Sequence, residues 1–147
     1  MRVVSWNIEN APRCFPALPG IVEDLGTPDV FCLQELRIRP QDDDAIRALE
    51  GALPGYECHH ALARDPRNVT FRGGRMYGVA TFVRDHWRAD VIPWDREGRI
   101  LAVRRPSLAV VNVYAVNGTA KPYFDETGRV AGNRHDLKRR FQTKVMD

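Results

Sequence analysis

A carboxylate follows a short apolar run in the stretch P-D-V-F-C-L-Q-E-L at residues 28–36. The run V-F-C-L is typical of a buried strand, and Glu35 would emerge at the end of that strand. Active sites of α/β proteins lie at such sheet edges. Glu35 is therefore a candidate ligand for a hard cation such as Mg²⁺, which takes only one or two protein carboxylates. The alternative, from this stretch alone, is a solvated charge at a strand end.

Two more predicted strands end in polar side chains that suit the same chemistry. Residues 2–8 are rich in Val, Trp and Ile and predict a first strand that ends near Asn7. Residues 108–114, L-A-V-V-N-V-Y, predict a strongly apolar and central strand that ends at Tyr114, shortly before Asn117. An amide, a phenol and a carboxylate at neighbouring strand ends can bind a cation and orient donors toward developing negative charge.

The rest of the chain predicts an α/β domain that would hold these strand ends together. Further strands are predicted at residues 56–62, 78–84 and 99–104. Helices are predicted at residues 20–25, 45–53 and 134–147. Residues 10–19 contain three prolines and predict an irregular connection, and residues 118–133 predict a turn-rich loop.

Two other groups of potential metal ligands have simpler explanations. Asp42, Asp43 and Asp44 precede a helix with an apolar stripe, where acidic residues cap the helix and favour its dipole. His59 and His60 are neighbours in a predicted strand, so they point to opposite faces and cannot chelate one ion together. We therefore predict capping by the aspartates and a structural or surface position for the histidines.

The composition is that of a single soluble globular domain. The chain has 147 residues, of which 44% are hydrophobic and 28% are charged. No apolar run approaches the roughly 20 residues of a membrane helix, and the N-terminus lacks the apolar region of a signal peptide. Cys14, Cys32 and Cys58 show no C-x-x-C spacing, which favours reduced thiols and a cytoplasmic location.

Basic residues are concentrated in the loop at residues 64–76 and in the C-terminal helix. The chain has 22 Lys and Arg against 19 Asp and Glu, a mild excess that suits a phosphate-bearing partner without requiring one. We predict that basic side chains of both segments contact nucleic acid, namely Arg64, Arg67, Arg72, Arg75, Arg134, Lys138, Arg139 and Arg140. The alternative for the loop is an ordinary solvated surface.

Five short segments resemble, in order and spacing, the N-terminal half of the endonuclease/exonuclease/phosphatase superfamily. The segments are V-V-S-W-N-I-E at 3–9, D-V-F-C-L-Q-E at 29–35, Y-G-V-A-T-F-V at 77–83, E-G-R-I-L at 97–101 and V-V-N-V-Y-A-V-N-G at 110–118. The chain is most similar to the exonuclease III-type apurinic/apyrimidinic (AP) endonucleases. The resemblance implies an α/β fold (α+β in some schemes) for residues 1–147, which would form half of a four-layer sandwich with a mixed sheet flanked by helices.

The resemblance also implies a role for each candidate residue. Glu35 of L-Q-E is similar to the metal-binding carboxylate, and Asn7 of W-N-I to the amide beside the metal. Glu9 stands where many relatives have Asp, and it would support the metal or hold a second ion. Tyr114 is similar to the phenol that contacts the scissile phosphate, and Asn117 is a further phosphate contact.

Two motifs of the superfamily do not occur in the chain. These are D-x-N, whose Asp activates or orients the nucleophile, and the terminal S-D-H, whose Asp–His pair completes the site. We therefore expect a fragment, a truncated product or one piece of a split protein, with the first sheet present and its partner sheet absent. An apolar face of the strands at 30–33 and 108–114 would be open. The chain would then aggregate, dimerise or pair with a complementing chain.

These features predict hydrolysis of a phosphodiester with Mg²⁺, or with Mn²⁺ as the alternative ion. DNA at abasic sites or 3′ ends is the expected substrate because of the two basic segments. Another phosphoester, acted on by the same superfamily, is the alternative substrate. A non-catalytic module that binds nucleic acid or a partner is the alternative from a different class. Because two motifs are missing, we expect weak or no Mg²⁺-dependent incision of an abasic-site duplex by the isolated chain.

Overall fold

A computed structural model describes residues 1–9, 11–69 and 77–147 of the chain. Arg72 and Arg75 therefore lie outside the described residues. The strands are β1 (Val3–Asn7), β2 (Val30–Gln34), β3 (Glu57–Leu62), β4 (Gly78–Val83), β5 (Arg88–Val91), β6 (Ile100–Arg105), β7 (Leu108–Val113), β8 (Pro122–Phe124) and β9 (Val130–Asn133). The helices are α1 (Ala11–Cys14), α2 (Leu18–Asp24), α3 (Asp43–Glu50) and α4 (Arg134–Met146), with a 3₁₀ helix at Phe15–Ala17.

The first sheet is mixed and has the strand order β1-β2-β4-β3. β1 and β2 are parallel, and the other two pairings are antiparallel. Every residue of β2 is buried, as expected for an apolar run covered on both faces. Apolar side chains of α1–α3, including Leu18 and Leu49, pack on one face of this sheet against Phe31 and Phe82.

A second sheet, with the order β5-β6-β7, packs on the other face of the first. The layer between the sheets contains apolar side chains from both, among them Val30, Val83 and Val103. The outer face of the second sheet is covered at one end by α4, where Phe141 packs with Ile100 and Val116. The layers are therefore helix, sheet, sheet and helix. The predicted α/β class, with a mixed sheet flanked by helices, is confirmed.

The expectation that the partner sheet is absent is wrong, because β5, β6 and β7 form a second sheet. The predicted central position of residues 108–114 is wrong for the same reason. β7 is an edge strand of the second sheet, and its residues alternate in burial, with Val111 53% exposed. The apolar residues on both faces of β7 misled the prediction, since one face meets the first sheet and the other lies outward.

Three smaller elements were not predicted. Residues 11–17 form α1 and a 3₁₀ turn, not an irregular connection. Pro12, Pro16 and Pro19 each lie in the first turn of a helical segment, where the fixed φ of proline and its missing N–H are tolerated. The strand β5 and the hairpin β8–β9 were also missed, because their strands are only three or four residues long. The predicted capping by Asp42 is confirmed, since its side chain accepts the N–H of Ala45 at 3.1 Å.

Both sheets have a free edge on the same side of the molecule. Within the described residues, β1 pairs with β2 alone and β7 with β6 alone. β7 packs across β2 and β4, and β6 packs across β4 and β3. β7 is therefore nearer to β1 than β6 is, and the free edge of β7 lies on the β1 side of the molecule. The prediction of an open face on β2 is therefore wrong. Within the described residues, the backbone groups that lack a strand partner lie along the free edges of β1 and β7.

No helix in the described part of the chain has the length and apolar character needed to cross a membrane.

Candidate functional site

Asn7, Glu35 and Tyr114 converge at one end of the two sheets. The carboxylate oxygen Oε1 of Glu35 accepts hydrogen bonds from the Tyr114 hydroxyl at 2.6 Å and from Asn7 Nδ2 at 3.1 Å. The other oxygen, Oε2, accepts a hydrogen bond from Arg37 Nη2 at 2.8 Å. The structure thus brings together three of the residues predicted to form the site and adds Arg37.

The sheet topology explains why these side chains meet. β1 and β2 are parallel, and Asn7 lies opposite Gln34, so both strands end at the same edge. Glu35 follows β2 directly, and Tyr114 follows β7 on the sheet above. The backbone N–H of Tyr114 donates to the Arg99 carbonyl at 2.7 Å, which continues the pairing of the second sheet into the site.

Three residues of the site have left-handed backbone conformations. The φ angles are 57° at Glu9, 59° at Glu35 and 57° at Arg37. Such values are uncommon for residues other than glycine, and they cluster at functional sites. Between Glu35 and Arg37, the Leu36 side chain is fully buried in the core. The chain therefore turns so that Leu36 anchors it while the Arg37 guanidinium returns to the Glu35 carboxylate.

The electrostatics of the site keep Glu35 ionised and Tyr114 protonated. Burial acts to raise the pKa of Glu35, but the hydrogen bonds from Tyr114 and Asn7 and the Arg37 charge outweigh it and lower the pKa. Burial and the neighbouring Glu35 carboxylate raise the pKa of Tyr114. A charged carboxylate and a neutral phenol donor therefore lie side by side over the ordinary range of pH.

We expect the Tyr114→Phe substitution to raise the pKa of Glu35 toward its ordinary value. In the native chain the pKa is lowered, so Glu35 stabilises the fold above its unfolded-state pKa, and that contribution is lost as pH falls through the folded-state pKa. Without the phenol hydrogen bond, the pKa of folded Glu35 lies closer to its ordinary value, so this contribution to stability begins to be lost at a higher pH. Carboxyl ¹³C NMR titration of both proteins measures the change. An unchanged Glu35 titration would contradict the assigned hydrogen bond.

Glu9 lies at the rim of the site. Its side chain is 79% exposed, with Oε1 3.7 Å from Arg37 Nη1, and its backbone N–H donates to Asn7 Oδ1 at 3.2 Å. Arg37 is thus shared between the two acidic residues. The sequence carried a signal for Arg37, a cation two residues after the predicted ligand in L-Q-E-L-R. The contact of Arg37 with Glu35 depends on the left-handed backbone of this segment, which the sequence does not predict.

Arg99 supports Tyr114 from inside the second sheet. Arg99 is 3% exposed, and its guanidinium carbon lies 4.6 Å from the Tyr77 ring centroid and 4.8 Å from that of Tyr114. Its Nε donates to the Glu97 carboxylate. Gly98 between them has a φ of 65°, and a Cβ atom there would lie 2.5 Å from the Leu62 carbonyl carbon. Only glycine fits this turn of the E-G-R motif.

Arg134 and Arg67, two of the predicted nucleic-acid contacts, both bind partners within the chain. Arg134 is 11% exposed, and its guanidinium donates to both Glu97 oxygens at 3.2 Å. Arg67 donates to Asp65 at 2.9 Å and to the Glu126 carbonyl at 2.6 Å. The Arg134 side chain keeps little exposed surface, whereas that of Arg67 is 33% exposed, and both stay predicted contacts to nucleic acid. Of the other predicted contacts within the described residues, Arg64, Arg139 and Arg140 are exposed and Lys138 is half-buried.

Asn117 is exposed on the loop that follows β7. Within the described residues, it makes no hydrogen bond to Asn7, Glu35 or Tyr114. The neighbouring Gly118 packs against α4, where a Cβ atom would lie 2.6 Å from His135 Nδ1. Asn117 is therefore near the site along the chain, but the structure does not bring it into the hydrogen-bonded group.

The oxygen donors of the site fit a divalent cation. No cluster of three or more Asp, Glu, His or Cys side chains able to hold a metal occurs among the described residues. Mg²⁺ does not need such a cluster, because it retains several waters and uses one or two carboxylates. Glu35 supplies one ionised carboxylate at the centre of the site, and Glu9 supplies an exposed one at its rim.

The chain belongs to the endonuclease/exonuclease/phosphatase family, whose model matches residues 4–144. Nucleases of this superfamily generally use divalent metal ions. A search of curated protein sequences found no significant match.

Solved structures with the same fold include an exonuclease, the catalytic domain of APE2 and an AP endonuclease. A 3′-5′ exonuclease (NExo) from Neisseria meningitidis is similar with a TM-score of 0.64 and 23% identity, over 99% of this chain and 50% of that one. The catalytic domain of Xenopus laevis APE2 gives a TM-score of 0.64 and 23% identity, over 99% and 52%. An AP endonuclease from Archaeoglobus fulgidus gives 0.61 and 16%, over 99% and 49%. The chain thus spans about half the length of these proteins.

Proposed function

We propose that this chain supplies one half of the active site of a divalent-metal-dependent phosphodiesterase that acts on DNA at abasic sites or 3′ ends. The observation that carries the proposal is the convergence of an ionised carboxylate, an amide and a protonated phenol at one edge of the two sheets. This arrangement follows five motifs in the order found in the family, and the family model covers nearly the whole chain.

Each side chain has a distinct part in the proposed reaction. Glu35 holds the ion, with Mg²⁺ proposed and Mn²⁺ as the alternative, and Glu9 assists from the rim. When bound, a divalent ion stabilises the negative charge that develops on phosphate oxygens. Asn7 Nδ2 fixes the orientation of the Glu35 carboxylate. Tyr114 keeps its proton and can donate it as a hydrogen bond to a phosphate oxygen, and Asn117 is proposed as a further phosphate contact.

DNA is the proposed substrate because several of the predicted basic contacts have exposed side chains. Arg64, Arg139 and Arg140 are exposed, and Lys138 is half-buried. Arg72 and Arg75 stay in the proposal from the sequence alone. A structure of the Neisseria 3′ phosphatase NExo bound to a product DNA hairpin has the same fold, with a TM-score of 0.68. A phosphoester other than DNA is the alternative substrate within the family.

Binding of a DNA duplex with an abasic site, measured with Mg²⁺ and with a chelator, tests this proposal. We expect tighter binding in Mg²⁺, and we expect Glu35→Gln to abolish the difference. A non-catalytic binding module, which the missing D-x-N and S-D-H motifs favour for this chain, would instead bind equally with or without the ion. Equal binding in both conditions would therefore contradict the enzymatic proposal and support the module.

We propose that the free edges of β1 and β7 pair with a complementing chain that supplies the other half of the fold. The structural relatives are about twice as long as this chain, and both edges face the same side. Among large apolar side chains on these strands, Val3 is 42% exposed and Val111 is 53% exposed. Open, flat edges of this kind template pairing with another strand.

In the absence of a complementing chain, we expect the protein to self-associate as its concentration rises. Val111→Lys places a charge on the free edge and should shift the population toward monomer. Val130→Lys is the control, since Val130 is 64% exposed but lies in the β8–β9 hairpin. Light scattering coupled to gel filtration measures the mass. A wild-type chain that remains monomeric at high concentration would contradict the proposed edge.

We also propose a cytoplasmic location. All three cysteines are free, and burial raises the pKa of Cys32 to about 11 and that of Cys58 to about 12, so these thiols are unreactive. Free cysteines are typical of a reducing compartment.

A further inference from the structure

Asn112 is a buried polar residue in the apolar layer between the two sheets. It is 3% exposed and occupies an inward position of β7, on the same face as Leu108 and Val110, which pack into the apolar cluster. A buried amide costs free energy unless its hydrogen bonds are made. An aliphatic side chain here would avoid that cost, so the presence of Asn112 calls for a role beyond filling the layer.

The Asn112 side-chain nitrogen joins β7 to two strands of the first sheet. Nδ2 donates to the carbonyl of Ala80 in β4 at 2.8 Å and to the carbonyl of Leu33 in β2 at 3.2 Å. It also lies 3.3 Å from the hydroxyl of Thr81. These hydrogen bonds require a defined distance and angle between the two groups, whereas the apolar contacts around them do not.

The Asn112 side-chain oxygen is paired with Gln34. Gln34 is 7% exposed and lies at the end of β2, and its Nε2 donates to Asn112 Oδ1 at 2.7 Å. The same Nε2 donates to the Ser5 hydroxyl in β1 at 3.0 Å. The two amides thus connect β7 with β1, β2 and β4 at one level of the sandwich.

The amide pair lies directly behind the site. Gln34 immediately precedes Glu35, and Asn112 is two residues before Tyr114. Because a strand rises about 3.4 Å per residue, the amide pair and the Tyr114–Glu35 contact are one or two residues apart on each strand. Sliding β7 by one residue would turn Tyr114 away from the first sheet. Apolar packing alone resists such sliding weakly, since it is non-directional.

Most other supports of the site act within one sheet, although Arg99 also stacks on Tyr77, which precedes β4 of the first sheet. Arg99 stacks on the Tyr114 ring and belongs to the second sheet, like Tyr114 itself. Asn7 and Arg37 hold Glu35 and belong to the first sheet. The Gln34–Asn112 pair crosses from one sheet to the other, as the Tyr114–Glu35 contact does.

We propose that Gln34 and Asn112 are positioning residues that fix the second sheet relative to the first and thereby set the contact between the Tyr114 phenol and the Glu35 carboxylate. The proposal rests on the proposed function in taking these two groups as parts of the active site. The bridge itself is a geometric claim and is tested without metal or substrate.

The test is the ¹³Cζ NMR signal of tyrosine in the metal-free chain, with Tyr114 assigned by its absence in Tyr114→Phe. Gln34→Met keeps the volume of the side chain and removes the hydrogen bonds that Gln34 donates to Asn112 and Ser5. We expect it to shift the Tyr114 signal and to leave that of Tyr56, whose hydroxyl donates to the Pro28 carbonyl at 2.7 Å within the first sheet. Asn112→Leu, where it folds, should shift Tyr114 in the same direction.

Val103→Ala is the matched control, because Val103 is fully buried in the same layer but makes no part of the bridge. We expect it to lower stability and to leave the Tyr114 signal in place. An unchanged Tyr114 signal in Gln34→Met would overturn the proposal. An equal shift in Val103→Ala would also overturn it, since any loosening of the layer would then suffice.

Mn²⁺ affinity, measured by electron paramagnetic resonance, gives a second readout. We expect Gln34→Met to weaken it by about tenfold or more, as for other residues that orient a ligand, and Val103→Ala to leave it unchanged. Unchanged affinity in Gln34→Met would contradict a positioning role. If the wild-type chain bound no Mn²⁺, the proposed function would be contradicted. The tyrosine spectra alone would then test whether Gln34 and Asn112 fix the second sheet relative to the first.

Discussion

Glu97→Ala is expected to destabilise the fold by about 3–5 kcal/mol, because it removes the anion shared by two inward-facing guanidinium groups. Glu97 is 7% exposed and binds Arg99 and Arg134, which stay in place when the carboxylate is lost. Arg99 would then be a buried charge without its carboxylate, and such charges are far more costly than exposed ones. Urea unfolding measures the effect, and the thermal midpoint should fall by roughly 10 °C.

The control for this prediction is Glu126→Ala. Glu126 is also paired with an arginine, Arg96 at 3.1 Å, but its side chain is 83% exposed. Exposed pairs contribute about 0–1 kcal/mol, so this change should be nearly neutral. Similar free energies of unfolding for the two variants would contradict the assigned burial of Glu97. The Glu97 effect should also reach the site, because Arg99 stacks on Tyr114.

Glu35→Gln is expected to weaken the binding of a divalent ion by about 100-fold or more. Changes to residues that only orient a ligand typically cost 10–100-fold, and Glu35 is the proposed ligand itself. The amide retains the shape of the side chain and removes the charge, and Arg37 would then lack its carboxylate partner at 2.8 Å. Isothermal titration with Mn²⁺ measures the affinity of both proteins.

Glu23→Gln is the matched control for Glu35→Gln. Glu23 is an exposed residue of α2, so the same chemical change there should leave the ion affinity as it is in the wild type. Retention of wild-type affinity in Glu35→Gln would show that Glu35 is not the ligand. In an assembled site, loss of the ion should lower the rate of phosphodiester hydrolysis by about 10²–10³-fold or more, as for loss of one well-placed electrostatic group.

The residues of the site were predictable where a strand end coincides with a polar side chain. Asn7, Glu35 and Tyr114 each follow an apolar strand, and the parallel pairing of β1 and β2 brings the first two together. Local rules also gave the capping of α3 by Asp42 and most of the strand positions. These features depend on neighbours in sequence, which is why the sequence alone predicts them.

What escaped prediction depends on contacts between distant segments. β7 reads as a central strand because both of its faces are apolar, yet it lies at an edge and faces α4 and the first sheet. Arg134 reads as a surface cation of a basic helix, but Glu97 draws it inward from 37 residues away. Arg37 returns to Glu35 through two left-handed residues. None of these positions is set by local pattern or propensity.

The chain spans about half the length of its structural relatives, and its site is open on one side. One wall is assembled, with Glu35 held by hydrogen bonds from three side chains and backed by the two sheets. The free edges of β1 and β7 lie on one side, where a further pair of strands would extend both sheets. A carboxylate and a phenol at a site that is open along an edge are what we propose as one half of a metal-dependent phosphodiesterase.

The most direct test is to locate Mn²⁺ in the wild-type chain by the paramagnetic broadening of NMR signals. We predict that substoichiometric Mn²⁺ selectively broadens the side-chain amide signals of Asn7 and the carboxyl signals of Glu35 and Glu9, and that excess Mg²⁺ restores them. Broadening centred on the acidic start of α3 at residues 42–44, with the Asn7 and Glu35 signals unaffected, would contradict the account.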